Sequence, residues 1–418
     1  MEIQTNQNPS SQKSVAPPNN DSGTGRHFLF LVIYLAGLSA FGSFVNDMYL
    51  PSLPSMMKFF HCSVPVVQLG LTTGMIGLAT GQFFLGPISD KIGRKPLLVG
   101  TLIGFCIASA VSIFSPTIHF FLVMRFFQGL GASGGYFLAR SIPADIYSGR
   151  QLAKTMAIIG AINGIAPASA PVIGGVVSDF FTWKGVFVFL TAFGIILLAF
   201  SPKLKESLTP DKRFKGSVGQ SFGNYKLLIK SKPYMIHVLL KGTALGLLFA
   251  YISSGPFIFE THFGHTQTIF GCIMGANALL VAAGSMLALK FRPLKSAAMY
   301  ASVGLLIFVG IITYILFRHP DSFWGYELLL LPILFCLGMI FTVSNTLAMN
   351  EGRNMAGDAS ALLGIIGYIF GASVSPLVGQ GNIMRSTGVA YCILAVLVLI
   401  FGILSYRLAP DLTTNNQP

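Results

Sequence analysis

Apolar residues in this chain are grouped into long stretches, separated by short polar or charged breaks, from Phe28 to Leu408. A helix needs about 20 apolar residues to cross a hydrocarbon core roughly 30 Å thick. Twelve stretches meet this requirement, so the pattern predicts an all-α polytopic membrane protein with twelve transmembrane helices. The predicted spans are 28–55, 66–87, 97–115, 118–145, 152–178, 184–201, 234–259, 267–289, 297–317, 325–349, 355–380 and 386–408.

The longest hydrophilic break divides six spans from six. It covers 202–233 and contains eight Lys and Arg residues, so we interpret it as a cytoplasmic linker between an N-terminal half, 28–201, and a C-terminal half, 234–408. Residues 1–27 are polar and lack an apolar core, which predicts a disordered cytoplasmic tail. Residues 409–418 are predicted to form a second cytoplasmic tail.

An internal duplication is indicated when the chain is compared with itself. An offset of about 205 residues, of the kind expected for transporters built from structural repeats, places 170–174 over 375–379. This predicts two pseudo-symmetric halves. The same offset places Asp47 and Arg125 over apolar residues, so the symmetry is lost at the charged positions.

The composition agrees with a lipid environment, because 53% of the residues are hydrophobic and only 10% are charged. The net charge of +13 raises the question of nucleic-acid binding. However, 21 of the 27 Lys and Arg residues fall in segments predicted to be cytoplasmic, and four fall outside. This bias predicts that both termini are cytoplasmic and argues against nucleic acid as a partner. The five cysteines lie far apart, so we expect no metal or redox site.

Ionisable residues inside a membrane are costly and are therefore candidates for function. Asp47, late in the first span, and Arg125, early in the fourth, are predicted at similar depths. We predict a proton-coupling pair in which Arg125 adjusts the proton affinity of Asp47. The alternatives are that Asp47 lies at headgroup level, and that Arg125 forms a structural ion pair or extends to the interface. We expect Lys241, in the seventh span, to extend to the interface.

Several strings resemble the motifs of a transporter family. Arg125 begins an arginine-containing string in the fourth span, and the fifth span contains ordered glycines and prolines. The loop between the second and third spans reads Gly86-Pro87-Ile88-Ser89-Asp90-Lys91-Ile92-Gly93-Arg94-Lys95-Pro96-Leu97.

Together these strings resemble the major facilitator superfamily, and the fifth-span motif resembles that of its drug:proton antiporters. The string beginning at Asp47, Arg140 with Asp145, Trp183 with Phe187, and 356–364 narrow the resemblance to the bicyclomycin and chloramphenicol resistance branch.

The resemblance implies multidrug efflux by alternating access in the bacterial inner membrane, without a cofactor other than the proton gradient. It implies proton coupling by Asp47 and Arg125. Four polar residues are candidates for the substrate cavity: Tyr49, Gln128, Tyr136 and Asn163. A conformational latch is expected from Gly86, Asp90, Gly93, Arg94, Lys95 and Asp358. A hinge in the fifth span is expected from Gly164, Pro167, Pro171, Gly174 and Gly175.

Two residues depart from the family pattern: Lys241 in the seventh span, and Asp358, which we expect to cap the eleventh helix or meet Asp90. The partners expected are a small amphipathic molecule, protons and the lipid bilayer, for a carrier that acts as a monomer. Alternatives are proton-coupled transport of a specific metabolite or siderophore, and a receptor without transport. We expect no enzyme, because no nucleotide-binding motif or soluble domain is found.

Overall fold

The computed structural model describes residues 25–213 and 223–408 as helices joined by tight turns. Both predicted tails fall almost entirely outside the described residues, as does 214–222 of the linker. The helices are α1 Gly25–Asp47, α2 Leu53–Phe59, α3 Val64–Ile92, α4 Arg94–Ile113, α5 Ile118–Ile146, the run Gly149–Phe200 that contains α6 and α7, α8 Gly223–Lys230, α9 Lys232–Pro256, α10 Gln267–Ala288, α11 Lys295–Arg318, α12 Phe323–Glu351, α13 Ala356–Val374 and α14 Ile383–Leu408.

The run Gly149–Phe200 is two helices, because its backbone breaks at Thr182, where φ is +60°. We call 149–181 α6 and 183–200 α7. Their contacts with α1 show that α6 runs parallel to α1 and that α7 returns antiparallel to it. The pairs that establish these directions are Ser39 with Asn163, Ser52 with Ser178, Tyr49 with Phe187, and Tyr34 with Leu197.

Twelve spans are therefore present, as predicted. Ten stretches of the described residues are long and apolar enough to cross a membrane, and one of these, Gly149–Lys203, holds both α6 and α7. The remaining span is α5, which packs against α1, α3 and α4. Because protein covers so much of its surface, α5 tolerates buried polar residues such as Arg125 and Gln128.

The two halves have corresponding helices. Moving α5 along the chain by 205 residues gives 323–351, which are the bounds of α12. The match between 170–174 and 375–379 does not correspond to equivalent structure, however, since Pro171 lies inside α6 whereas Pro376 follows the end of α13 at Val374. The eleventh span thus ends six residues before the predicted residue 380.

The first predicted span was also too long, because α1 ends at Asp47. A turn leads into the short 3₁₀ helix Leu50–Ser52, which has proline in its first turn, and then into α2. Proline at positions 51 and 54 removes backbone donors and restricts the preceding residue, so a continuous helix to residue 55 is unfavourable. Asp47 and Tyr49 consequently do not follow a single helical periodicity.

We call the end of the bundle with the turn at Gly93 and the linker before α9 the basic end, and the other the opposite end. At the opposite end, the halves meet between α3 and α13 and between α6 and α10. A Cβ atom on Gly175 would overlap the carbonyl oxygen of Gln267, and Asp179 accepts hydrogen bonds from the amide and hydroxyl of Thr268, at 3.0 and 2.5 Å. This end is closed.

Toward the basic end, α6 and α10 separate. Gly160 and Gly164 of α6 have open space where a Cβ atom would lie. A cavity lies between this part of α6 and Val281 and Ser285 of α10. The structure therefore has a central cavity that opens toward the basic end.

This packing predicts different effects of alanine at two glycines of α6. Gly174→Ala should lower the unfolding temperature of the purified protein, because its Cβ atom would overlap the carbonyl oxygen of Met48. Overpacking of this kind costs about 1–3 kcal/mol. Gly160→Ala is the matched control and should be neutral or stabilising by up to about 1 kcal/mol, since the added methyl group meets nothing. Equal destabilisation by both changes would contradict the close contact.

Candidate functional site

The cavity between the halves has a volume of about 270 Å³ and a mostly apolar wall. The N-terminal half contributes Asp47 and three residues of α6, and the C-terminal half contributes residues of α9, α10 and α12. Such a wall favours an amphipathic ligand, because apolar surface contributes affinity and a few polar groups orient the ligand. The polar residues in the lining are Asp47, Asn163, Tyr251, Asn277 and Ser285.

Asp47 is the acidic residue among those that line this cavity. It is the last residue of α1 and is 9% exposed. Within the part of the chain that the structure describes, no Lys, Arg or His nitrogen lies within 4.0 Å of its carboxylate. The carboxyl group is therefore available to a proton or a ligand in the cavity.

Arg125 of α5 is fully buried against α3, and its contacts are to neutral groups. Its Nε donates to the carbonyl oxygen of Gly70 at 3.2 Å, and its Nη1 donates to Gln128. The guanidinium carbon lies 4.2 Å from the centre of the Tyr49 ring. These contacts hold the charge without a carboxylate, through a cation–π interaction and directed hydrogen bonds.

The expected ion pair between Asp47 and Arg125 is therefore not formed in this conformation. The reason is the end of α1 at Asp47. The turn that follows places the Tyr49 ring against Arg125, while Asp47 faces the cavity. If α1 had continued through Tyr49, the positions of Asp47 and Tyr49 relative to Arg125 would have been different.

The four predicted cavity residues have different positions. Asn163 lines the cavity and accepts a hydrogen bond from Ser39 at 2.5 Å. Tyr49 and Gln128 are fully buried beside Arg125, so their assignment to the cavity wall was wrong for this conformation. Tyr136 lies nearer the basic end and accepts a hydrogen bond from Arg140 at 2.8 Å.

A polar cluster in the C-terminal half was not predicted. Glu327 of α12 is buried, and its Oε2 has no hydrogen-bond partner among the residues that the structure describes. It lies beside Asn277, which donates to the hydroxyl of Tyr251 at 3.1 Å. The signal was present in the sequence, because Glu327 is a lone acid in the apolar tenth span.

The loop between α3 and α4 forms a charged network at the basic end. Gly93 has φ +108°, a conformation that favours glycine, as expected for this turn. Arg94 forms ion pairs with Asp90 at 2.6 Å and Asp145 at 2.9 Å. Glu206, which was not predicted, accepts hydrogen bonds from the backbone amides of Arg94 and Lys95, at 2.9 and 3.2 Å. An acid at a helix N-terminus compensates the unpaired amides and the helix dipole.

These contacts stay within the N-terminal half and the first residues of the linker. Lys95 donates to the carbonyl oxygen of Pro202 at 3.1 Å, and a Cβ atom on Gly86 would be in ordinary contact with Phe137. Asp90 pairs with Arg94, so its expected contact with α13 belongs to a state closed at the basic end and stays a prediction.

Asp358 lies in the first turn of α13, but the N-cap residue is Met355, so the expected capping by Asp358 at that position was wrong. Asp358 lies near Tyr225 of α8 instead. Burial, together with the smaller effect of the Asp358 charge, raises the pKa of Tyr225 to about 12. The linker helix thus contacts the start of α13.

The residues predicted as a hinge occupy two environments along α6. Gly164 and Pro167 line the cavity. Pro171, Gly174 and Gly175 lie at the closed contact. A Cβ atom on Gly174 would overlap the carbonyl oxygen of Met48, just after α1, and one on Gly271 of α10 would overlap the carbonyl oxygen of Pro171. The same helix therefore borders the opening at one end and provides close packing at the other.

The sequence matches a known protein family and several of its members. Residues 35–376 match the Major Facilitator Superfamily. A Bacillus subtilis protein described as an uncharacterized MFS-type transporter, YdgK, is 34% identical over 92% of this chain and 96% of its own length. The bicyclomycin resistance protein homolog of Haemophilus influenzae is 28% identical over 84% and 89%, and multidrug resistance protein MdtL of Salmonella heidelberg is 26% identical over 91% and 94%.

Solved structures share the fold. A partially occluded inward open structure of the xylose transporter XylE from E. coli has a TM-score of 0.70, covers 94% of this chain and all of its own, and is 12% identical. An inward-facing, unoccupied bacterial homolog of the human lysosomal transporter Spinster has a TM-score of 0.72, with 92% and 98% coverage and 15% identity.

The surroundings of Arg125 predict that lysine cannot replace it. Arg125→Lys keeps the charge but loses the planar group that donates to both Gly70 and Gln128 and stacks on Tyr49. We expect a lower unfolding temperature in detergent, since hydrogen bonds to charged groups contribute about 1.5–3 kcal/mol. Arg318→Lys, at an exposed position, is the control and should leave the unfolding temperature unchanged. An unaltered Arg125→Lys protein would contradict this account of the site.

Proposed function

This chain belongs to the Major Facilitator Superfamily, and from that membership we propose that it exports amphipathic, drug-like molecules in exchange for protons. The observation that carries the proposal is a largely apolar cavity between two helical halves, with an acid in its wall, Asp47, that has no ion-pair partner among the described residues. Two relatives are named for resistance to bicyclomycin and to multiple drugs, which supports an amphipathic drug as the substrate.

The basic end faces the cytoplasm in this proposal, and both termini lie there. The support is the distribution of charge, because Lys and Arg are concentrated in the cytoplasmic loops of multi-pass proteins. The protein then resides in the inner membrane of a bacterium with its cavity open to the cytoplasm. It acts as a monomer and needs no cofactor beyond the proton gradient.

Transport requires the cavity to open first at one end and then at the other. Closing the basic end brings α6 and α10 together there, and opening the opposite end separates the contacts around Gly175 and Asp179. Asp47 receives a proton from the outside when the cavity faces outward, and substrate leaves. The proton then departs to the cytoplasm when the cavity faces inward, and the carboxylate is ready for the next cycle.

Arg125 is a positioning residue in this mechanism. It does not touch Asp47, but it holds the ring of Tyr49, two residues further along the chain. The residues from Asp47 to Tyr49 are thereby anchored to α3 and α5, which limits how far the carboxyl group can move relative to the cavity. Arg125 thus acts on Asp47 indirectly, through Tyr49, and not by forming an ion pair with it.

Proton coupling by Asp47 is tested with Asp47→Asn, which keeps the shape of the side chain but cannot carry a proton. In everted membrane vesicles, we expect pH-gradient-driven accumulation of a resistance substrate such as chloramphenicol to fall to the level of vesicles without the protein. Asp211→Asn, on the exposed linker, should transport like the wild type. Full accumulation by Asp47→Asn at normal protein levels would refute the assigned role.

The orientation is tested by single cysteines placed in a variant that lacks the five native cysteines. A membrane-impermeant maleimide added to intact cells should label a cysteine at 264 and should not label one at 91 or 226. Permeabilised cells should show labelling at all three positions. Labelling of 91 and 226 in intact cells, with protection of 264, would reverse the orientation and the direction of transport.

A further inference from the structure

Lys241 was expected to extend toward the membrane interface, but it does not. It lies in α9, and its Nζ donates to Oδ1 of Asn345 on α12 at 3.0 Å. Lys241 is seven residues before Leu248, which lines the cavity. Two turns of helix place them on the same face, about 10 Å apart along the axis. The ammonium group therefore lies on the cavity side of the C-terminal half, toward the basic end.

A second cation faces it from the N-terminal half. Arg140 of α5 is exposed in the opening between the halves, and its Nη2 donates to the hydroxyl of Tyr136 at 2.8 Å. Its guanidinium carbon lies 4.6 Å from the centre of the same ring, so the side chain is held in place. Arg140 lies six residues before the end of α5, and Lys241 lies nine residues after the start of α9, so both cations lie toward the basic end in opposite halves, where their positive charges repel each other.

Neither cation has an acidic partner. In the described ranges, no carboxylate lies within 4.0 Å of Lys241 or Arg140. Asp145, the acid nearest to Arg140 in the sequence, is already bound by Arg94 at 2.9 Å and by Ser207 at 3.0 Å. Lys241 is only partly exposed, so leaving its charge without an acid is costly, and an anion placed between the two cations relieves that cost.

We propose that Lys241 and Arg140 bind the carboxylate of an amphipathic acid or zwitterion, with the apolar part of the substrate in the cavity. The inference rests on the proposed transport function and specifies its substrate class. A guanidinium presents a fork of donors that fits a carboxylate, and an ammonium supplies a second point charge. Because the cations belong to different halves, an anion between them also removes a repulsion that opposes closure of the basic end. Substrate binding therefore favours closure, as alternating access requires.

The test compares an aromatic acid with its uncharged amide. Binding of 2-naphthoate and 2-naphthamide to the purified protein is measured by calorimetry at pH 7. We expect the wild type to prefer the acid, and Lys241→Gln to weaken binding of the acid by about tenfold, which corresponds to about 1.4 kcal/mol. Binding of the amide should not change. Lys241→Arg should retain most of the preference, and Lys290→Gln, an exposed lysine at the basic end, should behave like the wild type.

Two outcomes would overturn the anion site. One is a wild-type protein that binds the acid no better than the amide. The other is an equal loss of both ligands in Lys241→Gln, which would show that Lys241 supports the fold and not the charge of the ligand. Arg140→Gln provides an independent second variant, for which the same selective loss is expected.

Failure of the transport proposal has a different signature. If the wild type prefers the acid in the binding assay but moves neither compound nor chloramphenicol into everted vesicles under a pH gradient, the anion site stands and proton-driven export is rejected. If the wild type exports chloramphenicol under a pH gradient but shows no preference for the acid, export stands and the anion site is rejected.

Discussion

The close contact between α6 and α10 at the opposite end is the constraint on which the rest of the structure depends. Lipid provides little hydrophobic driving force between helices, so they associate through close packing, and small residues allow the backbones to approach. Gly175 against Gln267 and Gly271 against Pro171 provide such an approach between the two halves. The same α6 diverges from α10 toward the basic end, where Gly164 and Gly160 lie. The contact therefore determines both where the protein is closed and where its cavity opens.

The end of α1 at Asp47 has a comparable effect on the distribution of charge. It separates an acid that faces the cavity from an arginine that is buried in protein. Arg125 is accommodated by a carbonyl oxygen, an amide and an aromatic ring, so it does not require the carboxylate. In the proposed mechanism Asp47 exchanges a proton, and a permanent ion pair with Arg125 would oppose that exchange.

The basic end shows two kinds of charged arrangement. Around Gly93 the acids and bases of the N-terminal half compensate one another, through Arg94, Asp90 and Asp145. Nearer the cavity, Lys241 and Arg140 come from opposite halves, and within the part of the chain that the structure describes no carboxylate lies within 4.0 Å of either. The first arrangement stabilises a half as a unit, whereas the second makes the energy of approach of the halves depend on what lies between them.

The sequence alone determined the twelve spans, the division into two halves and the glycine turn at Gly93. These are local properties, set by the thickness of the bilayer, by runs of apolar residues and by the conformations open to each residue. The tertiary structure decided which side chains meet: Tyr49 and not Asp47 at Arg125, Arg94 at Asp145, Glu206 at the start of α4, and Arg140 opposite Lys241. Such pairings depend on where helices end and how they are rotated about their axes. Residues far apart in the chain share no periodicity, so the sequence alone does not predict these pairings.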